Sequence, residues 1–349
     1  MLEIQPIFLL HPEALPQSCD EVRACCHGQV CEALRLSLSK LAASNTEMLA
    51  GLRAALEVLP SPEHNSDYVP VKKPLADRDA HDSYCRIERV MHDHSQGIHV
   101  HSVLRAYEEL LEEMLEGGTT LTSRQSYQLR AAFDSMLLFL NGDFATTPAP
   151  EEAHLASTRW RAGQQPDPLA RWIRGHHIFL VLIQSVITAV NCFIHAYNAR
   201  ELKLSVDILD MTTRLFDGCS ASLHFTGDFL PSEYQNTVRP SMMPPNVPPG
   251  MSGVLARDHE YLMHLLRGQK QLFGNLDDCL SENYRKFVSA FENTYQAHKL
   301  VCSRFVGDER PSLLNRDEAD AAVAVLEKVK MSRLKSFHRF GERDHAKEA

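Results

Sequence analysis

The chain has 349 residues, of which 44% are hydrophobic and 23% are charged, and its formal net charge is −9. This composition is ordinary for a globular protein with a sizeable core, and the negative charge argues against a nucleic-acid partner. Nine cysteines at irregular spacing do not look like a secreted disulfide framework. The first residues also lack the basic segment of a signal peptide, so we expect a cytoplasmic protein.

Helical periodicity dominates the sequence, and alternating strand patterns are scarce. Gly117 and Gly118 mark the end of one helix, whereas Thr122 and Gln125 form the pattern of a capping box that opens the next. We predict an all-α, multi-helix fold in one domain at 1–335, with a polar tail at 336–349. The predicted helices cover 32–59 (one or two helices), 102–116, 122–140, 169–216 (long helical segments), 252–274, 284–305 and 315–335. Residues 60–82 are predicted to form an extended connector.

Ile178–Val190 is the segment that tests the membrane alternative. It is too short for a clean membrane span, and it contains Gln184 and Ser185. We therefore interpret it as part of a buried core helix and expect no membrane partner.

Residues 220–253 interrupt the helical pattern. Their prolines exclude a continuous helix, yet the segment also carries many polar residues. Long structured loops often bind ligands, so we expect an ordered loop on the substrate side; a proline-rich linker is the alternative. The prolines are residues 231, 240, 244, 245, 248 and 249.

His298 and Cys302 lie four residues apart on the apolar stripe of the predicted helix 284–305. Side chains at this spacing are neighbours, about 5–6 Å apart at Cβ. An imidazole could thus bind a haem iron while the thiol binds the edge of the same porphyrin. A zinc site would lack two of its four ligands. From this motif alone, a core histidine and a core cysteine are the simpler interpretation.

His259 lies on the apolar stripe of the preceding helix, so it too is expected to face the interior. Two inward histidines on neighbouring helices can bind opposite faces of one haem. This pattern favours a bis-histidine site whose metal ligands are His259 and His298. His264 falls outside the stripe and is expected at the surface.

Other histidines remain open candidates. H-x-H pairs can bind metal, and one of them could line the pocket, but the sequence does not choose among them. The pair at His176 and His177 is a weaker signal. The clustered histidines are His92, His94, His99 and His101.

The segment SEYQNTVRPSMMPPNVPPGMSGVLARDHEYL, followed by His-x-x-x-Cys, resembles the histidine-ligated haem-dependent aromatic-amino-acid oxygenases, the helical relatives of tryptophan 2,3-dioxygenase. The resemblance is specific over about residues 220–305. It implies His259 as the proximal iron ligand and His298 as the second axial ligand. It also implies that Cys302 forms a single, c-type-like thioether to the haem, and that residues 254–306 hold the haem-ligating helices.

The resemblance further implies a reaction on a small aromatic amino acid. In the branch that carries the cysteine, 3-methyl-L-tyrosine is hydroxylated with hydrogen peroxide to 3-hydroxy-5-methyl-L-tyrosine, a precursor of saframycin-type tetrahydroisoquinoline antibiotics. One alternative is an L-tyrosine 3-hydroxylase, which would not be expected to need Cys302. Others are a bis-histidine electron-transfer protein and a haem-free helical protein. The long polar loop favours an enzyme.

A bis-histidine iron has no free position for peroxide. We therefore predict that His298 dissociates during turnover and acts as the catalytic acid or base, while Cys302 keeps the haem attached. The substrate carboxylate needs a partner, for which we predict Arg239, with Tyr234 and Ser241 as companions. A homodimer is a further prediction from the related enzymes.

Overall fold

A computed structural model describes residues 4–60, 62, 76–91, 97–146, 165–248 and 256–306. The predicted all-α character is confirmed. The predicted helix 315–335 and the tail 336–349 lie outside the described residues. The main elements, in chain order, are β1 (Ile7–Leu10), α1 (Cys19–Cys25), α2 (Gly28–Leu38), α3 (Asn45–Val58), α4 (Ala76–Tyr84), β2 (Ile87–Val90), α5 (Ile98–Glu116), α6 (Ser123–Leu140), α7 (Pro168–Asn198), α8 (Leu202–Thr226), α9 (Arg257–Gly268) and α10 (Ser281–Val306).

Helices α7 and α8 form the centre of the fold, where α8 packs against α6, α7 and α10. By length and composition α7 could cross a membrane, but 89% of its most apolar window is buried by the rest of the chain. It is therefore a core helix, as the sequence predicts. The N-terminal half of α7 approaches the end of α8 closely: a Cβ on Gly175 would lie 2.4 Å from Thr226 Oγ1. This close approach brings the adjacent His176 to the end of α8.

One sequence prediction is wrong in the N-terminal third, and one element was not predicted. Residues 60–82 were expected to be extended, but α4 begins at Ala76. In addition, β1 and β2 pair as a two-stranded parallel sheet with Ile7 opposite Ile87. All four residues of β1 are buried, so the strand is a continuous apolar run without the alternation that marks a half-exposed strand.

A buried ion network joins α4, β2 and α9. The Arg89 guanidinium donates two hydrogen bonds to Asp82, both 3.0 Å long, and two to Asp258, of 3.0 and 2.6 Å. Gln184 of α7 donates another to Asp258, at 2.7 Å. Burial alone would raise the pKa of Asp82, but Arg89 outweighs this effect and lowers it. The network anchors the first turn of α9, which carries His259.

The proline-rich loop begins later than predicted, because residues 220–226 continue α8. Asp228 accepts hydrogen bonds from Thr119 Oγ1 at 2.6 Å and from the Thr120 amide at 2.8 Å. Arg304 of α10 donates to the carbonyl of Gly227 at 3.0 Å. These bonds tie the start of the loop to the core, and residues 249–253 lie outside the described part. The loop contains the short helical turns Pro231–Glu233, Tyr234–Val238 and Arg239–Ser241.

Buried histidines should make this protein sensitive to acid. Burial lowers the pKa of both His99 and His101 to about 4, against about 6.5 in an unfolded chain. Between these values the unfolded chain binds more protons, so stability falls as the pH drops from about 6.5 to about 4. For the fully buried His99 the loss is on the order of 3 kcal/mol, at about 1.4 kcal/mol per pKa unit.

We expect the double variant His99→Gln and His101→Gln to show a flatter dependence of unfolding free energy on pH than the wild type. Urea unfolding at several pH values across this window measures both slopes. Equal slopes in the two proteins would assign the acid sensitivity to other groups.

Candidate active site

Two adjoining cavities, one larger than the other, lie among α7, α8, α9 and α10. Their walls are mostly apolar, so the polar side chains in them are the groups that could bind a ligand selectively. The residues that line both cavities are Phe179, Leu223, His259, Tyr295 and His298.

His259 enters the cavities from the first turns of α9. The helix predicted over 252–274 is divided, with α9 ending at Gly268. The Tyr295 hydroxyl of α10 lies 3.4 Å from His259 Nε2. The neighbouring Asp258 does not orient this ring, because its carboxylate is engaged by Arg89 and Gln184. Instead it holds the backbone that carries His259.

His298 and Cys302 lie one turn apart near the end of α10, and both are partly buried. The turn between them borders solvent, since Leu300 is 52% exposed. Burial raises the pKa of the Cys302 thiol to about 11, so the thiol is neutral near pH 7. His264 is exposed on α9, as predicted.

An aromatic cluster surrounds the end of α10. The Tyr234 ring stacks on Phe305 at a centroid distance of 4.5 Å, and Trp172 contacts Tyr234 edge-on at 5.6 Å. Burial raises the pKa of Tyr234; the nearby positive charge of Arg239 opposes this rise and the nearby Cys302 reinforces it. Tyr234 and Arg239 therefore lie near one another and near Cys302.

Ser241 is engaged within the protein. Its hydroxyl lies 2.8 Å from the Tyr84 hydroxyl and donates to the Val238 carbonyl at 2.7 Å. Neither Ser241 nor the pair of Tyr234 and Arg239 lines the two cavities. The structure thus places the predicted substrate residues in a cluster behind the cavity wall.

The histidines that line the larger cavity are not those of the cluster noted in the sequence. His99 is in the core of α5, and His101 is largely buried on the same helix; neither lines the two cavities, and His92 and His94 lie outside the described residues. His81 of α4 and His176 of α7 line the larger cavity instead. The sequence carried a signal for this, because His81-x-x-x-Cys85 repeats the spacing of His298-x-x-x-Cys302.

His177 has a structural role. Its Nδ1 lies 2.9 Å from a carboxylate oxygen of Glu109, and its Nε2 lies 2.6 Å from the Cys85 carbonyl. The ring is fully buried. It fixes the end of α4 against α5 and α7.

The residues around the cavities fit a haem. Two imidazoles from adjacent helices reach the same space, its walls are mainly apolar, and a neutral thiol lies one turn from one imidazole. Imidazole is a usual axial ligand of haem iron, and an apolar wall suits the macrocycle. Fold and site together define a helical protein with a histidine-lined, mainly apolar cavity.

The chain belongs to the SfmD 3-methyl-L-tyrosine peroxygenase family, whose model matches residues 8–283. A 3-methyl-L-tyrosine peroxygenase from Streptomyces lavendulae is 32% identical over 333 residues, covering 94% of this chain and 90% of the relative. The crystal structure of reduced SfmD, soaked with sodium hydrosulfite, matches with a TM-score of 0.68 at 28% identity, over 84% of this chain and 96% of that chain. The predicted family relationship is confirmed, although the matched range ends before His298 and Cys302.

Proposed function

We propose that this protein is a haem-dependent peroxygenase that hydroxylates the ring of 3-methyl-L-tyrosine with hydrogen peroxide. The product would be 3-hydroxy-5-methyl-L-tyrosine, used in the cytoplasm for saframycin-type antibiotic biosynthesis. One observation carries the proposal: in a member of this family, His259 and His298 line the same apolar cavities. Haem supplies the oxidising chemistry with peroxide when it is bound. A homodimer stays a prediction.

Three side chains would hold the haem. His259 and His298 would be the two iron ligands, and Cys302 would form one thioether. The spacing of His298 and Cys302 supports this, because i and i+4 side chains on a helix are neighbours. The high pKa of the Cys302 thiol keeps it protonated near pH 7. Thioether formation would therefore start from the neutral thiol.

The two histidines differ in how firmly their backbones are held. Asp258, next to His259, is fully buried and bound by Arg89 and Gln184. The turn of His298 borders solvent instead. This difference supports His298 as the ligand that leaves during turnover. Once released, its imidazole would accept a proton from hydrogen peroxide or from the substrate phenol.

Product analysis tests the proposed reaction directly. Haem-loaded protein is incubated with hydrogen peroxide and either 3-methyl-L-tyrosine or L-tyrosine, and the products are followed by mass spectrometry. We expect peroxide-dependent gain of one oxygen atom, faster on the methylated substrate. Faster reaction of L-tyrosine would favour the tyrosine hydroxylase alternative. Reversible reduction of the haem without any hydroxylation would favour an electron carrier.

Replacing Cys302 by alanine should remove the covalent link. Mass spectrometry under denaturing conditions should show haem bound to the wild-type chain and free haem released from the variant. Cys279→Ala is the matched control, since Cys279 is exposed on the surface and should retain the link. Haem that stays attached in Cys302→Ala, or that maps to a peptide containing Cys85, would contradict the assignment.

Arg239 is the proposed partner of the substrate carboxylate. Its positive charge lies near Tyr234, which lies beside Cys302, so a side-chain movement would bring it to a substrate. A hydrogen bond to a charged group contributes about 1.5–3 kcal/mol. We therefore expect Arg239→Ala to raise KM about 10- to 150-fold.

Arg239→Lys should recover part of this loss, because lysine keeps the charge without the bidentate geometry. Steady-state kinetics with 3-methyl-L-tyrosine measures both variants. Unchanged KM in Arg239→Ala would remove Arg239 from the substrate site. Tyr234 and Ser241 stay proposed companions, although Ser241 would have to exchange its bond with Tyr84 for one with the substrate.

A further inference from the structure

A second cluster of potential ligands lies beside the candidate haem cavity. His81 and Cys85 come from α4 and its end, and His176 comes from α7. One ligand atom from each residue lies within 4.8 Å of the other two. Cys85 Sγ is 3.9 Å from His81 Nε2. His81 and Cys85 are 1% and 0% exposed, respectively, so the cluster is built into the core.

The two imidazoles are arranged as metal ligands are. His176 Nδ1 lies 2.7 Å from the Trp172 carbonyl, so this nitrogen carries the proton and Nε2 keeps its lone pair. A backbone carbonyl that orients a histidine in this way is common around metal ions. His81 Nδ1 faces the Asp82 carboxylate at 3.9 Å, which leaves Nε2, 3.9 Å from Cys85 Sγ, as the nitrogen that would bind the ion.

A supporting layer fixes the third ligand. His177 Nε2 lies 2.6 Å from the backbone carbonyl of Cys85, and Glu109 holds the other side of that ring at 2.9 Å. The position of Cys85 is therefore determined by two further buried side chains. Such outer groups orient the ligands of metal sites.

We propose that His81, Cys85 and His176 bind one divalent transition-metal ion, with zinc as the best match. Two imidazoles and one thiolate suit zinc, and three protein ligands with one open position are typical of zinc sites that bind water. Bond lengths of about 2.0–2.3 Å place tetrahedral ligand atoms roughly 3.3–3.7 Å apart. Small side-chain movements would close the observed distances to these values.

Binding of the ion would displace a proton. A cysteine binds a metal ion as the thiolate, so the Cys85 thiol would lose its proton. The ion would take its place between the imidazole and the thiolate, and the proton would pass to solvent.

The location gives the site a role beside the proposed haem. His81 and His176 line the larger cavity together with His259 and His298. The open position of the ion would therefore face the space proposed for the haem and its peroxide. A water molecule bound to the ion would provide fixed polar contacts in a cavity whose walls are mainly apolar.

Zinc binding to the haem-loaded full-length protein tests this proposal. Protein is incubated with zinc sulfate, freed of excess by gel filtration, and analysed by elemental mass spectrometry and zinc X-ray absorption. We expect one zinc per chain with a mixed sulfur and nitrogen shell. Cys85→Ser and His176→Gln should each weaken binding by at least about tenfold. Matched exposed controls, Cys279→Ser and His264→Gln, should bind as the wild type does.

A further variant helps to separate loss of zinc binding from misfolding. Glu109→Gln leaves all three ligands in place and should weaken zinc binding about 10- to 100-fold through His177. Haem content and circular dichroism report whether each variant is folded. The proposal would be overturned if no zinc is retained or if the metal shell contains no sulfur. It would also be overturned if Cys85→Ser and His176→Gln bind zinc as tightly as the wild type does. Because zinc and iron are measured separately, these outcomes are independent of whether the protein is a peroxygenase.

Discussion

Replacement of Arg89 by methionine should lower the free energy of unfolding by about 3–5 kcal/mol, the usual cost of breaking a buried ion pair from one side. Arg89 makes paired hydrogen bonds to Asp82 and Asp258, which are 6% and 0% exposed. Methionine has a similar reach but no charge. The substitution would therefore leave Asp258 ionised in the core with Gln184 as its remaining described donor, or force it to take up a proton.

Urea unfolding of the wild type and Arg89→Met measures this effect. Arg200→Met is the matched control, because Arg200 pairs with Asp277 at the surface, where the two side chains are 73% and 39% exposed. A pair of this kind contributes about 0–1 kcal/mol. If Arg89→Met costs no more than the control, the buried network does not stabilise the fold.

Removing the orphaned charge should partly restore stability. In the double variant Arg89→Met and Asp258→Leu, the buried carboxylate and its desolvation cost disappear together. Asp82 would still pair with Arg257 Nε at 3.2 Å. A double variant less stable than Arg89→Met would show that Asp258 has a separate role at the start of α9.

The parts of the fold that sequence predicts well are those with local signals. Thr122 and Gln125 form a reciprocal capping box, with the Gln125 amide donating to Thr122 Oγ1 at 3.2 Å and the Thr122 amide to Gln125 Oε1 at 2.9 Å. Both bonds join residues three apart, so the pattern is visible in any short window. The apolar stripes of α7 and α10 are local signals of the same kind.

Helix α4 could not be read in this way. Its sequence, ADRDAHDSY, is strongly polar, and its apolar residues are two alanines and one tyrosine. Its position depends on long-range contacts instead: Asp82 binds Arg89 on β2, and Tyr84 meets Ser241 from a segment 157 residues away. Tertiary contacts override weak local preference here.

The residues of the candidate site also differ in whether a local signal predicts them. His259, His298 and Cys302 lie on helices whose stripes show which face is buried. His81 and His176 enter the cavity from segments about 95 residues apart in the chain, and only the folded structure brings them together. The repeated His-x-x-x-Cys spacing at His81 is visible in the sequence. In an extended connector, however, residues four apart are not neighbours as they are on a helix.

Replacement of His298 by alanine should reduce turnover of 3-methyl-L-tyrosine by about 10²- to 10⁴-fold, the usual contribution of a positioned acid or base. The haem should remain attached, because Cys302 is unchanged and His259 is held by the turn that Asp258 anchors. The resting optical spectrum should shift from six-coordinate low-spin to five-coordinate high-spin iron, since one proposed ligand is gone. This spectral change is a readout that does not depend on activity.

The direction of the kinetic effect separates two roles for His298. If its imidazole only occupied the position that peroxide needs, its removal would speed turnover. If it also accepts a proton after it leaves, its removal slows turnover and abolishes one limb of the pH dependence of kcat. We expect the second result, because the wall around His298 is mainly apolar and its other imidazoles, His81, His176 and His259, are proposed to bind metals. His298 would then be the imidazole left to move a proton at the substrate.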